Sequence, residues 1–105
     1  MRGLLVTPLA IVVAGPDPAR AQTALDLAAA AAALGRPVAM LFDGASVELL
    51  PALADALATA LDLGVEVTAC TTGLALSETL LPQGVTPGGM VSFLQANPAA
   101  NLTVV

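Results

Sequence analysis

Two continuous apolar runs and a third strand-like segment, separated by helical segments, limit the folds that this chain can adopt. The runs are Leu9–Ala14 and residues 38–42, and the third segment, residues 65–70, also contains Glu66 and Thr68. A strand that is apolar at consecutive positions is typical of a parallel sheet covered on both faces. Because a helical pattern follows each run, strands and helices alternate along the chain. This order predicts an α/β domain, with a mostly parallel sheet and helices on both faces.

Turn-forming residues indicate where the helices begin and end. Asp17 can cap the first helix, and Pro18 suits its first position. Gly35 is expected to end that helix. Pro51 is expected to begin the main helix after the second strand, and Gly64 to end it.

The last third of the chain is predicted to add fewer regular elements. A helix is expected over residues 74–81, a loop rich in Gly and Pro over 83–89, and a short helix over 90–95. A last strand is expected over residues 102–105. The sheet then has four to five strands with a flavodoxin-like winding, and residues 1–105 form a single domain.

The composition restricts the partners of the chain. Charged residues make up 10 % of it, against about a quarter in an average domain. Either the surface is unusually rich in alanine, or other subunits cover part of it, and we favour self-association. Eight acids, three arginines and few aromatic residues argue against nucleic-acid binding. Residues 79–105 carry no charge, but prolines interrupt them, so no membrane span is predicted.

The amino terminus resembles a secretory signal. Arg2 precedes an apolar stretch over residues 3–15, and the small-residue triplet Ala19-Arg20-Ala21 imitates a cleavage site. Cleavage there would remove the first strand of the sheet. We therefore expect a cytoplasmic protein, with export as the alternative. The single cysteine rules out an internal disulfide, which fits a reducing compartment.

Polar residues follow the predicted strands at the edge where ligands of parallel sheets gather. Arg20 follows the first strand, Asp43 the second, and Cys70 with Thr71 and Thr72 the third. Cys70 ends its strand just before a helix, whose free amide groups stabilise an anion. A thiolate there is a nucleophile or a sulfur acceptor. The alternative is that Cys70 fills the core, as free cysteines often do.

Missing residue types exclude several chemistries. Without histidine there is no Cys-His dyad, and without a second cysteine there is no dithiol cycle within one chain. No zinc-binding cluster and no glycine-rich phosphate loop is present, so no metal or cofactor is predicted. Arg20 is the one cation placed to assist a thiolate or to hold an anionic small ligand. The alternative, which we favour, is a solvated residue in the first turn of its helix.

Three segments resemble the DsrE/DsrF-like family. Residues 33–45, ALGRPVAMLFDGA, resemble its segment in which LG precedes a strand and F..G. Residues 63–70, LGVEVTAC, are similar to its G-V-x-(V/I)-x-A-C strand. Gly84-Val85, Gly88-Gly89 and residues 90–94 resemble its following loop and short helix.

The resemblance implies a compact α/β domain that forms trimers or hexamers and relays sulfur. It gives a role to Cys70 alone, which would carry a persulfide between donor and acceptor proteins. By position, Thr71, Thr72 and Gly73 at the helix start and Arg20 at the sheet edge are predicted to support it. The alternative is a non-catalytic structural or regulatory subunit in which Cys70 is a buried core residue.

Overall fold

The computed structural model of the chain describes residues 7–105, which contain five strands and four α-helices. The strands are β1 (Leu9–Ala14), β2 (Val38–Asp43), β3 (Glu66–Cys70), β4 (Val85–Gly88) and β5 (Asn101–Val104). The helices are α1 (Pro18–Ala33), α2 (Ala54–Asp62), α3 (Thr71–Ser77) and α4 (Met90–Ala96). Two short 3₁₀ segments, Gly44–Leu49 and Pro51–Leu53, connect β2 to α2.

The five strands form one parallel sheet in the order β4-β3-β2-β1-β5. The longest pairing joins β1 to β2, from Leu9 opposite Val38 to Ala14 opposite Asp43. With helices on both faces, this arrangement confirms the predicted fold class and is consistent with the flavodoxin-like winding. All five carboxyl ends lie at one edge, because the strands are parallel.

Each face of the sheet has its own core, which explains why β1 is apolar throughout and β2 is apolar up to Phe42. On the first face, Ile11, Met40 and Phe42 are fully buried beneath α1 and α2. On the second face, Val12 and Leu41 pack against Phe93 of α4. Strands covered on both faces cannot show the alternation of a half-exposed strand.

The first helix confirms the turn-based prediction. The Asp17 side chain accepts hydrogen bonds from the backbone amides of Ala19 (2.9 Å) and Arg20 (3.4 Å), which caps α1. Beyond the helix, Gly35 has a φ of +88°, a conformation that glycine adopts readily.

The predicted starts of the next two helices were wrong. Residues 51–53 form a 3₁₀ turn, so α2 begins at Ala54 rather than at Pro51. The third helix covers Thr71–Ser77 rather than residues 74–81. It begins directly after Cys70, and it ends where Glu78 adopts a left-handed backbone conformation with a φ of 55°. A 3₁₀ turn and a helix that starts on a strand end carry no strong sequence signal.

The loop predicted over residues 83–89 contains β4, a strand that the sequence pattern did not predict. Its sequence includes Pro87 and Gly88, which normally argue against a strand. β4 pairs with β3 alone, at one end of the sheet. An edge strand tolerates proline, because the outer side of the strand has no neighbour and the missing amide donor removes no hydrogen bond between strands.

The signal-like stretch falls partly outside the described residues. Arg2 and residues 3–6 lie in that part of the chain, whereas Leu9–Ala14 forms β1, between β2 and β5. Within residues 7–105, none of the helices combines the length and the apolar character that crossing a bilayer requires.

A buried hydroxyl ties the carboxyl ends of β1 and β2 together. Ser46 is fully buried, and its Oγ lies 2.8 Å from the carbonyl oxygen of Val13 and 2.9 Å from that of Asp43. Its single proton can be donated to only one of these oxygens at a time. The contact fixes the 3₁₀ segment Gly44–Leu49 against the sheet edge.

The variant Ser46→Ala removes this hydrogen bond and leaves both carbonyl oxygens without the hydroxyl donor. We expect a loss of about 1–3 kcal/mol in the free energy of unfolding. Urea unfolding followed by circular dichroism measures it. Thr23→Ala, at an exposed position in α1, is the control and should change stability by less than about 0.5 kcal/mol. Equal stabilities of the two variants would contradict the structural role of Ser46.

Candidate functional site

A cavity of about 500 Å³ lies at the carboxyl edge of the sheet. One wall is the chain that follows β2, and the other is the end of β3 with α3. Its lining residues are Asp43, Gly44, Ala45, Glu48, Cys70, Thr72, Gly73, Leu76 and Ser77. Ligands of parallel sheets bind at this edge, so the cavity occupies the expected position.

Cys70 is the last residue of β3 and directly precedes α3. It is a free cysteine of intermediate burial, which packs against the main core and also lines the cavity. The backbone pairs with Gly88 of β4. Cys70 is therefore within reach of molecules that enter the cavity.

The crossover connections change faces beside Cys70. After β3, Leu74 of α3 packs on the first core, whereas after β4, Phe93 of α4 packs on the second. In the order β4-β3-β2-β1-β5, the strand order reverses between β1 and β5, which is the switch point of an open α/β sheet. Cys70 ends β3, two strands from β1, so its cavity lies at the carboxyl edge of the sheet but not at the switch point.

The three residues after Cys70 are brought to the same place, with different contacts. Thr72 lines the cavity. Thr71 donates a hydrogen bond from its hydroxyl to the carbonyl oxygen of Gly88 (3.1 Å), which joins α3 to β4. Gly73 is buried where α3 meets the 3₁₀ segment after β2.

Arg20 lies apart from the cavity. Its guanidinium forms an ion pair with the Asp17 carboxylate (3.7 Å), and 71 % of its side chain is exposed. It is not among the residues that line the cavity. The structure therefore does not bring Arg20 together with Cys70, although both follow strands of the same sheet.

Two further lining residues, Glu48 and Leu76, were not identified from the sequence. Glu48 comes from the 3₁₀ segment after β2, and 82 % of Leu76 is exposed on α3. Asp43, which was expected at this edge, also lines the cavity. Asp43 and Glu48 give the cavity a negative field, since no arginine or lysine lines it. Packing of two distant segments creates this environment, so no local pattern could have indicated it.

No protein-family model matches the sequence, and no curated protein is significantly similar to it. Within residues 7–105, no group of three or more His, Cys, Asp or Glu side chains is placed to hold a metal ion. The chemistry of the cavity thus depends on its thiol, two carboxylates and hydroxyl groups.

This arrangement suits a thiol that exchanges with small or flexible molecules. A thiolate attacks sulfur without a general base once its proton has gone to water. Hydrolytic acyl transfer would require an activating base beside the thiol, and the chain contains no histidine. Substitution at sulfur is the simplest reaction that these residues can carry out.

The closeness of the two cavity walls depends on Gly73. A Cβ atom at this position would lie 2.8 Å from the carbonyl oxygen of Gly44 and 2.8 Å from Cγ2 of Val47. Both distances are shorter than van der Waals contact. A side chain there would force α3 away from the 3₁₀ segment.

The variant Gly73→Ala should therefore lower the free energy of unfolding by about 1–3 kcal/mol. Gly89→Ala is the matched control, because Gly89 has an ordinary φ of −146° and nothing lies near its would-be Cβ. Urea unfolding of both variants measures the difference. A Gly73→Ala protein as stable as Gly89→Ala would show that the walls are not in close contact.

Proposed function

We propose that the protein is a small oligomeric sulfur carrier of the DsrE/DsrF-like kind, which holds a persulfide on Cys70. The observation that carries the proposal is the position of Cys70, a free and partly exposed residue that lines a cavity of about 500 Å³ at the carboxyl edge of the sheet. The motif resemblance assigns sulfur transfer to the same residue. The two arguments are independent, since one is geometric and the other comes from sequence segments.

The proposed reaction is a balanced exchange at sulfur. The Cys70 thiolate attacks the outer sulfur of a donor persulfide, a new S–S bond forms, and the donor's S–S bond breaks. The donor leaves as a thiolate, and Cys70 becomes a persulfide with no external oxidant. An acceptor thiolate then attacks the outer sulfur of Cys70 and regenerates the thiolate.

The residues around Cys70 favour a carrier over an enzyme with several steps. The chain has one thiol and no histidine, so it can accept and pass on a group but has no second nucleophile or shuttle base. Thr71 and Gly73 hold α3 against neighbouring segments, so we assign them to positioning the thiol. Arg20 has no part in this proposal.

The proposed partners are donor and acceptor proteins rather than free anions. Leu76, with 82 % of its surface exposed, lines the cavity and offers an apolar contact for a partner.

Several other large apolar side chains are also exposed, including Leu34 and Leu80 at 87 % each. This surface supports assembly into a homo-oligomer, with a trimer or hexamer expected. A thiol that must stay reduced between transfers fits the cytoplasm.

Intact mass spectrometry of the native protein after exposure to a persulfide donor tests the proposal. We expect the wild-type chain to gain the mass of one sulfur atom and to lose it on treatment with a reductant. Cys70→Ser is the matched control and should gain none. A wild-type chain that gains no sulfur while native, yet gains it once unfolded, would contradict the carrier.

The second candidate function is a non-catalytic structural or regulatory subunit. It is favoured by the contact of Cys70 with the main core, which would make the side chain a packing residue. In this case Cys70→Ser should lower stability without abolishing any transfer, and the native thiol should accept no sulfur. The mass experiment therefore separates the two candidates.

The carboxylates of the cavity should select reagents by charge. Glu48→Gln removes a negative charge from the lining, so the native thiol should react about twofold faster with an anionic disulfide at low salt. Its rate with a neutral disulfide should be unchanged. Stopped-flow absorbance measures both rates.

Glu66→Gln is the matched control for this charge effect. Glu66 begins β3, whereas Cys70 ends it, so Glu66 lies toward the opposite edge of the sheet and outside the lining of the cavity. Its removal should leave both rates within experimental error. Equal effects of the two substitutions would show that net charge, and not the cavity, selects the reagent.

A further inference from the structure

The two edges of the described sheet differ in how they are protected from pairing. β4 forms one edge and contains Pro87, which cannot donate to a neighbouring strand. β5 forms the other edge, and its residues Asn101–Val104 include neither proline nor a charged residue. Natural sheets usually block a free edge with such residues. The edge at β5 lacks this protection.

Within residues 7–105, the backbone groups on the outer side of β5 have no strand as a partner. The amide of Asn101 donates to the carbonyl oxygen of Pro8 (2.8 Å), and that of Val105 donates to Val12 (2.8 Å). Because successive residues of a strand alternate, the N–H and C=O groups of Leu102 and Val104 point away from β1. No strand within residues 7–105 pairs with this side.

An apolar surface adjoins this edge. The register places Leu102 beside Ala10 and Val104 beside Val12, so both side chains lie on the α4 face, where they are 54 % and 66 % exposed. On α4, Ser92 and Ala96 lie on the side of the helix that lines a cavity with residues of β3 and β4. By helical spacing, Met90 and Leu94 lie on the opposite side of α4, toward β5, and both are exposed. We define the edge patch as Met90, Leu94, Leu102 and Val104.

The charge distribution favours a second copy of the chain as the partner. The net charge is −5, yet residues 79–105, which include α4 and β5, carry no charge. Two copies that meet through the edge patch bring no acids together there, unlike copies that meet near Asp43 and Glu48. A strongly charged partner would find no opposite charge on this surface.

We propose that two copies of the chain join their β5 strands about a two-fold axis, which extends the sheet across both subunits. A two-fold axis perpendicular to the sheet makes identical edge strands antiparallel. With the axis at Thr103, Leu102 faces the partner's Val104 and Val104 faces the partner's Leu102. Each pair exchanges two backbone hydrogen bonds, and all four outward groups of each strand are satisfied. The two edge patches become neighbours.

This contact has a consequence for the assembly. A two-fold contact occurs in a hexamer built from two trimers but not in an isolated trimer. Of the two oligomers expected above, the contact therefore favours the hexamer. The inference stands independently of the sulfur chemistry, since none of its residues lines the cavity of Cys70.

A cysteine at the axis tests the pairing directly. Two Thr103 residues would form a non-hydrogen-bonded antiparallel pair with a Cα–Cα distance of about 4.5 Å, within the range of a disulfide. We expect Thr103→Cys, in a Cys70→Ser background, to form a covalent dimer under mild oxidation, seen by intact mass. Thr86→Cys in the same background is the control on the other edge strand, and it should remain mostly uncrosslinked. Equal crosslinking of the two variants would overturn the proposal.

Sedimentation velocity measures how strongly two copies of the chain associate, and so tests the contribution of the edge patch to the contact. Leu102→Lys places a charge in the edge patch and should weaken the two-fold association at least about tenfold, since symmetry introduces the charge twice. Thr86→Lys makes the same change of net charge on exposed β4 and should leave the association unchanged. A wild-type chain that is monomeric at every accessible concentration would overturn the proposal, as would equal effects of both lysines.

Discussion

The parallel pairing of β1 with β2 is the constraint on which the remaining structure depends. These strands pair along their whole length and are buried on both faces, so they connect the two cores. Their carboxyl ends are fixed by the Ser46 hydroxyl, which lies within hydrogen-bond distance of both strand ends. Ser46 thereby positions the 3₁₀ segment that forms one wall of the cavity. The second wall, α3, packs against that segment at Gly73.

The site follows from this arrangement of backbone rather than from a sequence motif. Cys70 ends β3, a strand of the parallel sheet, and it lines a cavity that solvent can enter. A reactive group at a strand end, with a partner surface on the following helix, suits repeated exchange of one group. The negative field of Asp43 and Glu48 then limits which molecules approach the thiol, and the exposed Leu76 favours an apolar protein surface.

The sequence predicted the elements whose signals are local. Asp17-Pro18 marks the start of α1 and Gly35 its end. Both signals are local, because helix capping and termination by a left-handed residue involve only residues within one turn of the helix end. β4 was missed because Pro87 is excluded only from interior strands, and edge position is a property of the whole sheet. The start of α3 was misplaced because Thr71-Thr72-Gly73 reads as a turn. Gly73 is instead required by its close approach to Gly44, a contact between segments distant in sequence.

The candidate site was likewise predictable only where its sequence signal is local. Cys70 was found because the end of a strand before a helix is a local feature. The contribution of Glu48 and Leu76 depends on the packing of α3 against the chain after β2, and no spacing rule indicates it. Arg20 was predicted at the sheet edge near Cys70, but it pairs with Asp17 and does not line the cavity. The order of the strands does not determine where the first turn of a helix lies relative to the thiol.

The most direct measurement is the rate at which the Cys70 thiol of the native protein reacts with a small neutral thiol reagent, compared with the rate in the urea-unfolded chain. The thiol of a partly exposed residue that lines a cavity should react at a rate within about tenfold of the unfolded one. Native reaction that proceeds only as fast as the protein unfolds would contradict the account. It would make Cys70 a packing residue of the core.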